Sequence, residues 1–169
     1  RGEVLGGFGL TEPGAGSDLA QLQLSAKFDG DAYVVNGTKI WTTQAHMADM
    51  IFVLARTDNS GRKQDGVTCL LIDMKAPGVT VRPIITIDGR HRFNQEFFDD
   101  VRVPVTDRVG EAGDGWRIAK YLLGHERSNA AGVAGAVRML KKLRAIATAE
   151  RSEGETLMQD QDFRRNLSD

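Results

Sequence analysis

Eight residues near the amino terminus, Thr11 to Asp18, have the composition of a ligand-binding loop. Their sequence is TEPGAGSD, in which Pro13 fixes one backbone dihedral while Gly14 and Gly16 allow conformations that other residues resist. Successive glycines expose backbone N–H groups, so such a loop can approach a polar or phosphate-bearing ligand closely. An ordinary tight connection between two apolar segments fits the same residues. The loop is neither a GxGxxG dinucleotide loop nor a P-loop, because Leu19 stands three residues beyond Gly16 and no Gly-Lys-Ser/Thr follows.

The carboxylate of Glu126 is a second candidate for chemistry. At the helical period, apolar side chains surround it within about sixty degrees on the wheel. These side chains are Ala119, Leu122, Leu123, Ala130, Val133, Val137 and Leu140. A carboxylate on an apolar face is costly to bury unpaired, and this is the environment that a carboxylate general base needs. A structural ion pair with Arg127, His125 or a residue outside this chain is the alternative interpretation.

Other reactive side chains give weaker signals. The run Trp41–Thr43 sets an aromatic plane beside two hydroxyls and can flank a flat cofactor, although Trp and Thr are also ordinary strand residues. The three histidines, His46, His91 and His125, lack metal-ligand spacing, so no metal site is predicted. Cys69 lies in an apolar run and is predicted to be a core residue, not a nucleophile.

Composition excludes several classes of function. The 169 residues carry a net charge of -1, which gives no electrostatic case for binding nucleic acid. No apolar run reaches the length of a membrane span, and no signal peptide opens the chain. A single cysteine cannot form an internal disulfide and fits a reducing compartment, so we expect a cytoplasmic protein. Because the chain starts at Arg1 without methionine and stops at Asp169 inside a predicted helix, we also expect a piece of a longer protein.

From Leu22 to about Val103 the pattern predicts short β-strands. The predicted strands cover residues 25–28, 32–35, 38–43, 50–55, 67–73, 79–85 and 97–103. Asp29-Gly30 and Asn36-Gly37 separate the first three, and both dipeptides are typical of hairpins because they tolerate positive φ. Short strands with turns at this spacing indicate an antiparallel barrel or sandwich.

The period becomes helical after Gly113-Asp114-Gly115. We predict one long helix from about Trp116 to Glu150, with Asp114 as its N-cap, and a second helix near Gln161 capped by Asp160. The fold class is therefore α+β. A β domain, either a barrel or a sandwich, ends near Gly110 and is followed by a helical region.

Four sequence blocks, in their order and spacing, resemble the acyl-CoA dehydrogenase family. The blocks are Gly9-Leu10-Thr11-Glu12-Pro13-Gly14-Ala15-Gly16-Ser17-Asp18, Asn36-Gly37-Thr38-Lys39-Ile40-Trp41-Thr42-Thr43, Phe98-Asp99-Asp100-Val101-Arg102-Val103-Pro104 and Gly113-Asp114-Gly115-Trp116. The resemblance covers essentially the whole chain. It implies the family's middle domain, an antiparallel β-barrel, over residues 1–110, followed over 111–169 by the long helix that begins its C-terminal helical-bundle domain, which is incomplete in this chain.

The resemblance also implies a reaction. FAD is the expected cofactor and an acyl-CoA thioester the expected substrate, which loses an α-proton to a carboxylate and a β-hydride to the flavin to give an enoyl-CoA. Electron-transfer flavoprotein is the expected acceptor, and a homo-oligomer (dimer or tetramer) or paired unlike subunits the expected assembly. We expect this piece alone to be inactive, since the family's site draws on other segments and another subunit. A flavin oxidase or monooxygenase of the same fold and a non-catalytic partner subunit are the alternatives.

Matched positions supply the expected site residues. The cofactor-binding residues are Phe8, Leu10, Thr11, Ser17, Trp41, Thr42 and Thr43. Trp41 is expected beside the flavin ring and Thr43 near the nitrogen that accepts hydride, while Ser17 and Arg127 are expected near the substrate. Glu126 falls where one branch of the family places its catalytic base, whereas other branches place it in later sequence that this chain lacks.

One departure from the family pattern lies in the residues just before the third block. Gln95-Glu96 precedes Phe97-Phe98, where relatives often have the acidic residue one position earlier. We therefore expect an altered local contact at Glu96.

Overall fold

The computed structural model describes residues 3–130, 132–152 and 154–168. Two compact units divide the chain, Arg1–Tyr121 and Leu122–Asp169. Within the described ranges, none of the helices has both the length and the apolar character needed to cross a bilayer.

The described residues of the first unit contain eight strands joined in one mixed sheet. The strands are β1 (Gly6–Gly9), β2 (Ser25–Asp29), β3 (Ala32–Thr43), β4 (Met50–Arg56), β5 (Val67–Asp73), β6 (Val79–Ile85), β7 (His91–Pro104) and β8 (Arg108–Val109). Their order is β6-β7-β3-β2-β4-β5-β8, and β1 lies parallel to β4. The long β3–β7 and β4–β5 ladders are antiparallel.

The sheet is not closed, so the predicted antiparallel barrel is not confirmed. Among the described residues, β6 and β8 stand at opposite ends of the strand path. The pairing is also mixed, because β1 runs parallel to β4 and Ser25 of β2 pairs in parallel with Arg56. These parallel contacts join residues far apart in the chain, which turn signals between sequence neighbours cannot reveal.

One of the two predicted hairpins is confirmed and the other is wrong. Gly30, with φ of 69°, lies in the turn that joins β2 to β3. Asn36-Gly37 instead lies inside β3, where the register with β7 shifts between Val35 and Gly37. The Asn36 side chain exchanges two hydrogen bonds with Asp100 on β7, each of 2.9 Å. This tertiary contact holds the dipeptide within the strand, opposite an extra residue of β7, rather than in a turn.

The core forms where the sheet strands turn their apolar side chains inward. One cluster joins residues of β2, β3, β4, β5 and β7 around Val35, Ile51 and Val101, which are fully buried. A second cluster includes Leu19, Leu54 and Ala119. Cys69 belongs to this second cluster, as predicted, and burial raises the pKa of its thiol to about 11.

Three helices follow the sheet in the described residues. They are α1 (Gly115–Ala130), α2 (Val133–Ala149) and α3 (Gln161–Ser168), with two short paired strands, β9 (Arg151–Ser152) and β10 (Glu155–Thr156), before α3. The helical-bundle prediction is not confirmed by these elements. Asp160 caps α3 as predicted, because its carboxylate accepts a hydrogen bond of 2.9 Å from the Phe163 N–H.

The prediction of one helix from Trp116 to Glu150 is wrong. Gly132 has φ of 59°, a left-handed conformation that starts α2 as a separate helix. Val133 and the apolar residues after it therefore do not continue the face of α1 that carries Glu126. A single helical wheel cannot register a change of backbone conformation between two helical segments.

Helix α1 begins in close contact with β5, and this contact can be tested. A Cβ added at Gly115 would lie 2.8 Å from the Val67 carbonyl oxygen and 2.9 Å from the Thr68 carbonyl carbon. We expect Gly115→Ala to lower the free energy of unfolding by about 1–3 kcal/mol, since backbone must move to admit the methyl group. Chemical denaturation of the purified variant measures this loss.

Gly124, in the same helix, is the matched control. A Cβ there meets no described atom within 4 Å. Gly124→Ala should raise the free energy of unfolding by about 0.5–1 kcal/mol, through the higher helix propensity of alanine. If both substitutions stabilise equally, the close contact at Gly115 is wrong.

Candidate functional site

The loop Thr11–Asp18 closes on itself through a tight turn. The N–H of Glu12 donates to the Ala15 carbonyl at 3.0 Å, and the N–H of Ala15 donates to the Glu12 carbonyl at 3.1 Å. Ala15 is buried, whereas Pro13 and Gly14 are exposed at the tip. The glycine loop is therefore anchored at its base and presents its tip to the surroundings.

A buried ion pair anchors this loop to the sheet. Lys39 of β3 is fully buried, and its Nζ donates to Glu12 Oε1 at 2.8 Å and to the Leu10 carbonyl at 3.1 Å. The Glu12 carboxylate also accepts the N–H groups of Gln23 at 2.6 Å and Leu24 at 2.9 Å. Burial lowers the pKa of Lys39, and the neighbouring Glu12 carboxylate opposes that change.

Sequence reasoning missed both members of this pair as site residues. Lys39 stands in a strand, two residues before Trp41, and lysine is rarely fully buried without a partner. The alternation of β3, in which Val35 and Lys39 are both buried, could have indicated an inward lysine. The partner could not have been identified, because Glu12 is 27 residues away in sequence.

The segment Gly7–Thr11 lies beside β3. The N–H of Ile40 donates to the Thr11 carbonyl at 2.9 Å. A Cβ at Gly7 would lie 3.8 Å from the Cγ2 of Thr42. The structure thus brings the predicted residues Phe8, Leu10 and Thr11 alongside the run Trp41–Thr43.

Trp41 occupies a β-bulge at the edge of this arrangement. Ile40 pairs with Gln95 and Thr42 with Asn94, so Trp41 is the extra residue in the β3–β7 ladder. Its φ of 67° is uncommon for a residue with a side chain. The side chain is 54% exposed, and its indole packs edge-on against Phe93 with ring centroids 6.1 Å apart.

Two buried side chains of β7 hold Thr42, the residue next to the bulge. The Thr42 hydroxyl donates to Glu96 Oε2 at 2.7 Å, and its carbonyl accepts the Asn94 amide at 3.0 Å. Asn94 Oδ1 is in turn within hydrogen-bond distance of His46 Nδ1, at 3.2 Å, and His91 Nε2, at 2.7 Å. The two imidazoles are stacked with centroids 3.9 Å apart.

Glu96 is the acidic residue whose position departs from the family pattern. Its side chain is fully buried, and Oε1 has no hydrogen-bond partner among the described residues. Burial is the main cause that raises the pKa of this carboxyl to about 7, and the Thr42 hydrogen bond opposes it. Sequence reasoning indicated a changed contact here but not its partner.

The other residues predicted to bind the cofactor differ in how much of each is exposed to solvent. Phe8 is 39% exposed and stacks on Phe52 at a centroid distance of 5.4 Å. Leu10 and Thr11 are half-buried, while Thr43 is exposed. The predicted residue Ser17 also lies on the exposed side of the loop.

The predicted residues Glu126 and Arg127 belong to the second compact unit. Both lie in α1 beyond Tyr121, the last residue of the first unit. Glu126 is half-buried and Arg127 is exposed. Their roles as base and substrate contact remain predictions.

The first unit presents an aromatic plane beside hydroxyl-bearing side chains. An exposed indole, held by a backbone bulge, stands beside exposed Thr43 and the half-buried Thr11. Such a surface supplies a stacking plane together with hydrogen-bonding groups. Within the described ranges, no three His, Cys, Asp or Glu side chains gather closely enough to hold a metal ion.

Comparisons with known proteins show which family the chain belongs to. The family model for the acyl-CoA dehydrogenase middle domain matches residues 7–101. Acyl-CoA dehydrogenase FadE29 of Mycobacterium tuberculosis is 40% identical over 168 residues, which cover 99% of this chain and 43% of the relative.

Two solved structures show the same fold. The Tcur3481-Tcur3483 steroid ACAD has a TM-score of 0.81 and 35% identity, covering 99% of this chain and 42% of that one. Glutaryl-coenzyme A dehydrogenase, in its glutaryl-CoA complex, has a TM-score of 0.84 and 31% identity, covering 98% and 43%. The chain thus spans less than half the length of these proteins. The match of more than half of its residues to the middle domain shows that the chain belongs to the acyl-CoA dehydrogenase family.

Proposed function

We propose that the full-length protein is an FAD-dependent dehydrogenase that converts an acyl-CoA thioester to the enoyl-CoA. The Trp41 bulge carries this proposal, because it presents an exposed aromatic plane next to Thr43 and Thr11 in a chain of this family. The proposal concerns the full-length protein because the chain spans less than half the length of these relatives.

The cofactor contacts are assigned to residues of the first unit. FAD, when bound, supplies the acceptor for the β-hydrogen and its electron pair. Trp41 would supply a stacking plane for the cofactor, and the hydroxyls of Thr11 and Thr43 would supply hydrogen-bonding groups. Phe8 and Leu10 supply apolar contact along the same side, and Ser17 contacts the cofactor or the CoA arm.

Glu126 is the proposed base. Its carboxylate removes the α-proton of the thioester, and the electron pair of the broken C–H bond forms the new double bond as the β-hydrogen departs with its own pair. The proton then resides on the Glu126 carboxyl. Arg127, the next residue, is assigned to the substrate. Electrons leave finally to an electron-transfer flavoprotein.

The acyl group and the assembly follow from the named relatives only by analogy. One solved neighbour is called a steroid ACAD and pairs two designations, Tcur3481 and Tcur3483, and another holds glutaryl-CoA. We therefore propose an assembly of like or paired unlike subunits. Substrate tests should include steroid, dicarboxylic and straight-chain acyl-CoA thioesters.

A visible spectrum of the purified full-length protein tests the proposal. FAD should give the oxidised flavin bands, and one class of acyl-CoA should bleach them when oxygen is absent. A protein with flavin bands that none of the thioesters bleaches contradicts the proposed reaction. Oxygen consumption without an added acceptor would instead indicate an oxidase or monooxygenase of the same fold.

A further inference from the structure

The bulge at Trp41 needs support from its surroundings. A non-glycine residue in the left-handed region is strained, and it persists only where neighbouring contacts determine its conformation. Here the contacts act on Thr42, the next residue. Its hydroxyl and its carbonyl are each held by a fully buried side chain of β7, Glu96 and Asn94.

We propose that Glu96 is a positioning residue for the flavin-binding wall, which consists of the bulge at Trp41 with Thr42 and Thr43. Glu96 holds this wall in shape through Thr42 while its carboxyl is protonated and neutral. Ionisation of Glu96 then loosens the wall and weakens FAD binding. This inference rests on the proposed function, because it takes Trp41 to contact FAD.

The neutral form fits the buried site for a geometric reason. Oε1 of Glu96 has no described hydrogen-bond partner, and Oε2 accepts the Thr42 hydroxyl. An ionised carboxylate at this point would leave negative charge on a buried oxygen without compensation, which is costly. A neutral acid can still accept the Thr42 hydroxyl through Oε2. The raised pKa of Glu96, whose main cause is burial, agrees with this geometry.

The nearest strand on one side does not offer a compensating cation. Lys39 of β3 is the register partner of Glu96. Its ammonium, however, is hydrogen-bonded to the Glu12 carboxylate and the Leu10 carbonyl. Burial is the largest cause that raises the pKa of Glu96, and the hydrogen bond from Thr42 opposes it.

On the other side of Glu96, the guanidinium of Arg82 on β6 and the two nearby histidines also contact groups other than Glu96. Val81 of β6 is the register partner of Glu96 on that side, and the guanidinium of the adjacent Arg82 lies over the Phe97 ring at 4.8 Å. His46 and His91 direct a ring nitrogen to Asn94 Oδ1.

These contacts define how FAD binding should depend on pH. Glu96 is protonated in the shaped wall, which binds FAD, and ionised in the loosened wall. Binding of FAD to the loosened form therefore takes up a proton. The dissociation constant for FAD then rises with pH, by up to about tenfold per pH unit, between the ordinary carboxyl range and about pH 7. Above that range the dependence on Glu96 ends.

The test uses the full-length apoprotein, titrated with FAD between about pH 5 and pH 8. Quenching of flavin fluorescence gives the dissociation constant. Wild type should lose about tenfold or more in affinity across this range, whereas Glu96→Gln should bind tightly with a much weaker pH dependence. The amide keeps an acceptor for Thr42 and cannot ionise.

Two further variants separate positioning from general destabilisation. Thr42→Val removes the hydroxyl that Glu96 holds, so it should weaken FAD binding and also reduce the pH dependence. Thr68→Val removes a buried hydroxyl that instead accepts the Gly113 N–H at 3.0 Å. It should keep the wild-type pH dependence even if it lowers stability.

Infrared difference spectroscopy supplies a readout that does not need FAD. The carbonyl band of a neutral buried acid should be present in wild type at low pH, fade as pH rises through about 7, and be absent in Glu96→Gln. The same pH dependence of FAD affinity in Glu96→Gln and wild type overturns the inference and leaves the proposed function standing. Failure of wild type to bind FAD at any pH overturns both.

Discussion

Replacement of Glu126 by glutamine should slow the bleaching of flavin by the acyl-CoA substrate by about 10²- to 10⁴-fold, the usual contribution of a general base. The amide has nearly the volume of the carboxylate but cannot accept the α-proton. FAD content and substrate binding should change little, because the Glu126 carboxylate acts in removing the α-proton and not in binding. Anaerobic stopped-flow mixing of the full-length enzyme with its thioester measures the rate.

A second carboxylate in the helical region provides the control. Glu150 is exposed at the end of α2, and Glu150→Gln should bleach at the wild-type rate. An undiminished rate in Glu126→Gln would place the base elsewhere, in sequence beyond this chain, as in the other branches of the family. The kinetic experiment therefore decides the role of Glu126.

Loss of the buried lysine should have the largest effect on stability. Lys39→Met is expected to lower the free energy of unfolding by about 3–5 kcal/mol, because it leaves the Glu12 carboxylate buried without its cation. Two backbone N–H groups, from Gln23 and Leu24, still contact that carboxylate but carry no full charge. Urea denaturation followed by circular dichroism gives the change.

Two comparisons make this result specific to the buried pair. The double variant Lys39→Met/Glu12→Gln should recover part of the loss, since the stranded charge is removed. Arg62→Met breaks a surface pair with Asp65, whose side chains are 82% and 53% exposed, and should scarcely move the midpoint. Equal midpoints for Lys39→Met and Arg62→Met would mean that the buried pair does not anchor the loop.

The sequence predicted those features that depend on neighbouring residues. The Asp29-Gly30 hairpin follows from turn chemistry, because Gly30 adopts positive φ. Asp160 caps α3 through a contact three residues away. The gathering of the glycine loop and Trp41 was expected from the family resemblance, and their contact through Thr11 and Ile40 is present.

The features that it missed depend on contacts between distant residues. Asn36-Gly37 has the local signature of a hairpin, but Asp100, 64 residues later, holds Asn36 within the strand. Similarly, the partners of Glu12 and Glu96 lie 27 and 54 residues away. A pattern read along the chain contains no information on such pairs until the strand order is known.

The strand that supports Thr42 is synthesised well after Thr42 itself. Both side chains that hold it belong to β7, 52 and 54 residues further along the chain. During synthesis, the strand that carries Trp41 therefore emerges well before the strand that shapes it. A nascent chain that ends before β7 contains every wall residue but lacks the bulge, so the ribosome must release β7 before the wall can acquire its shape.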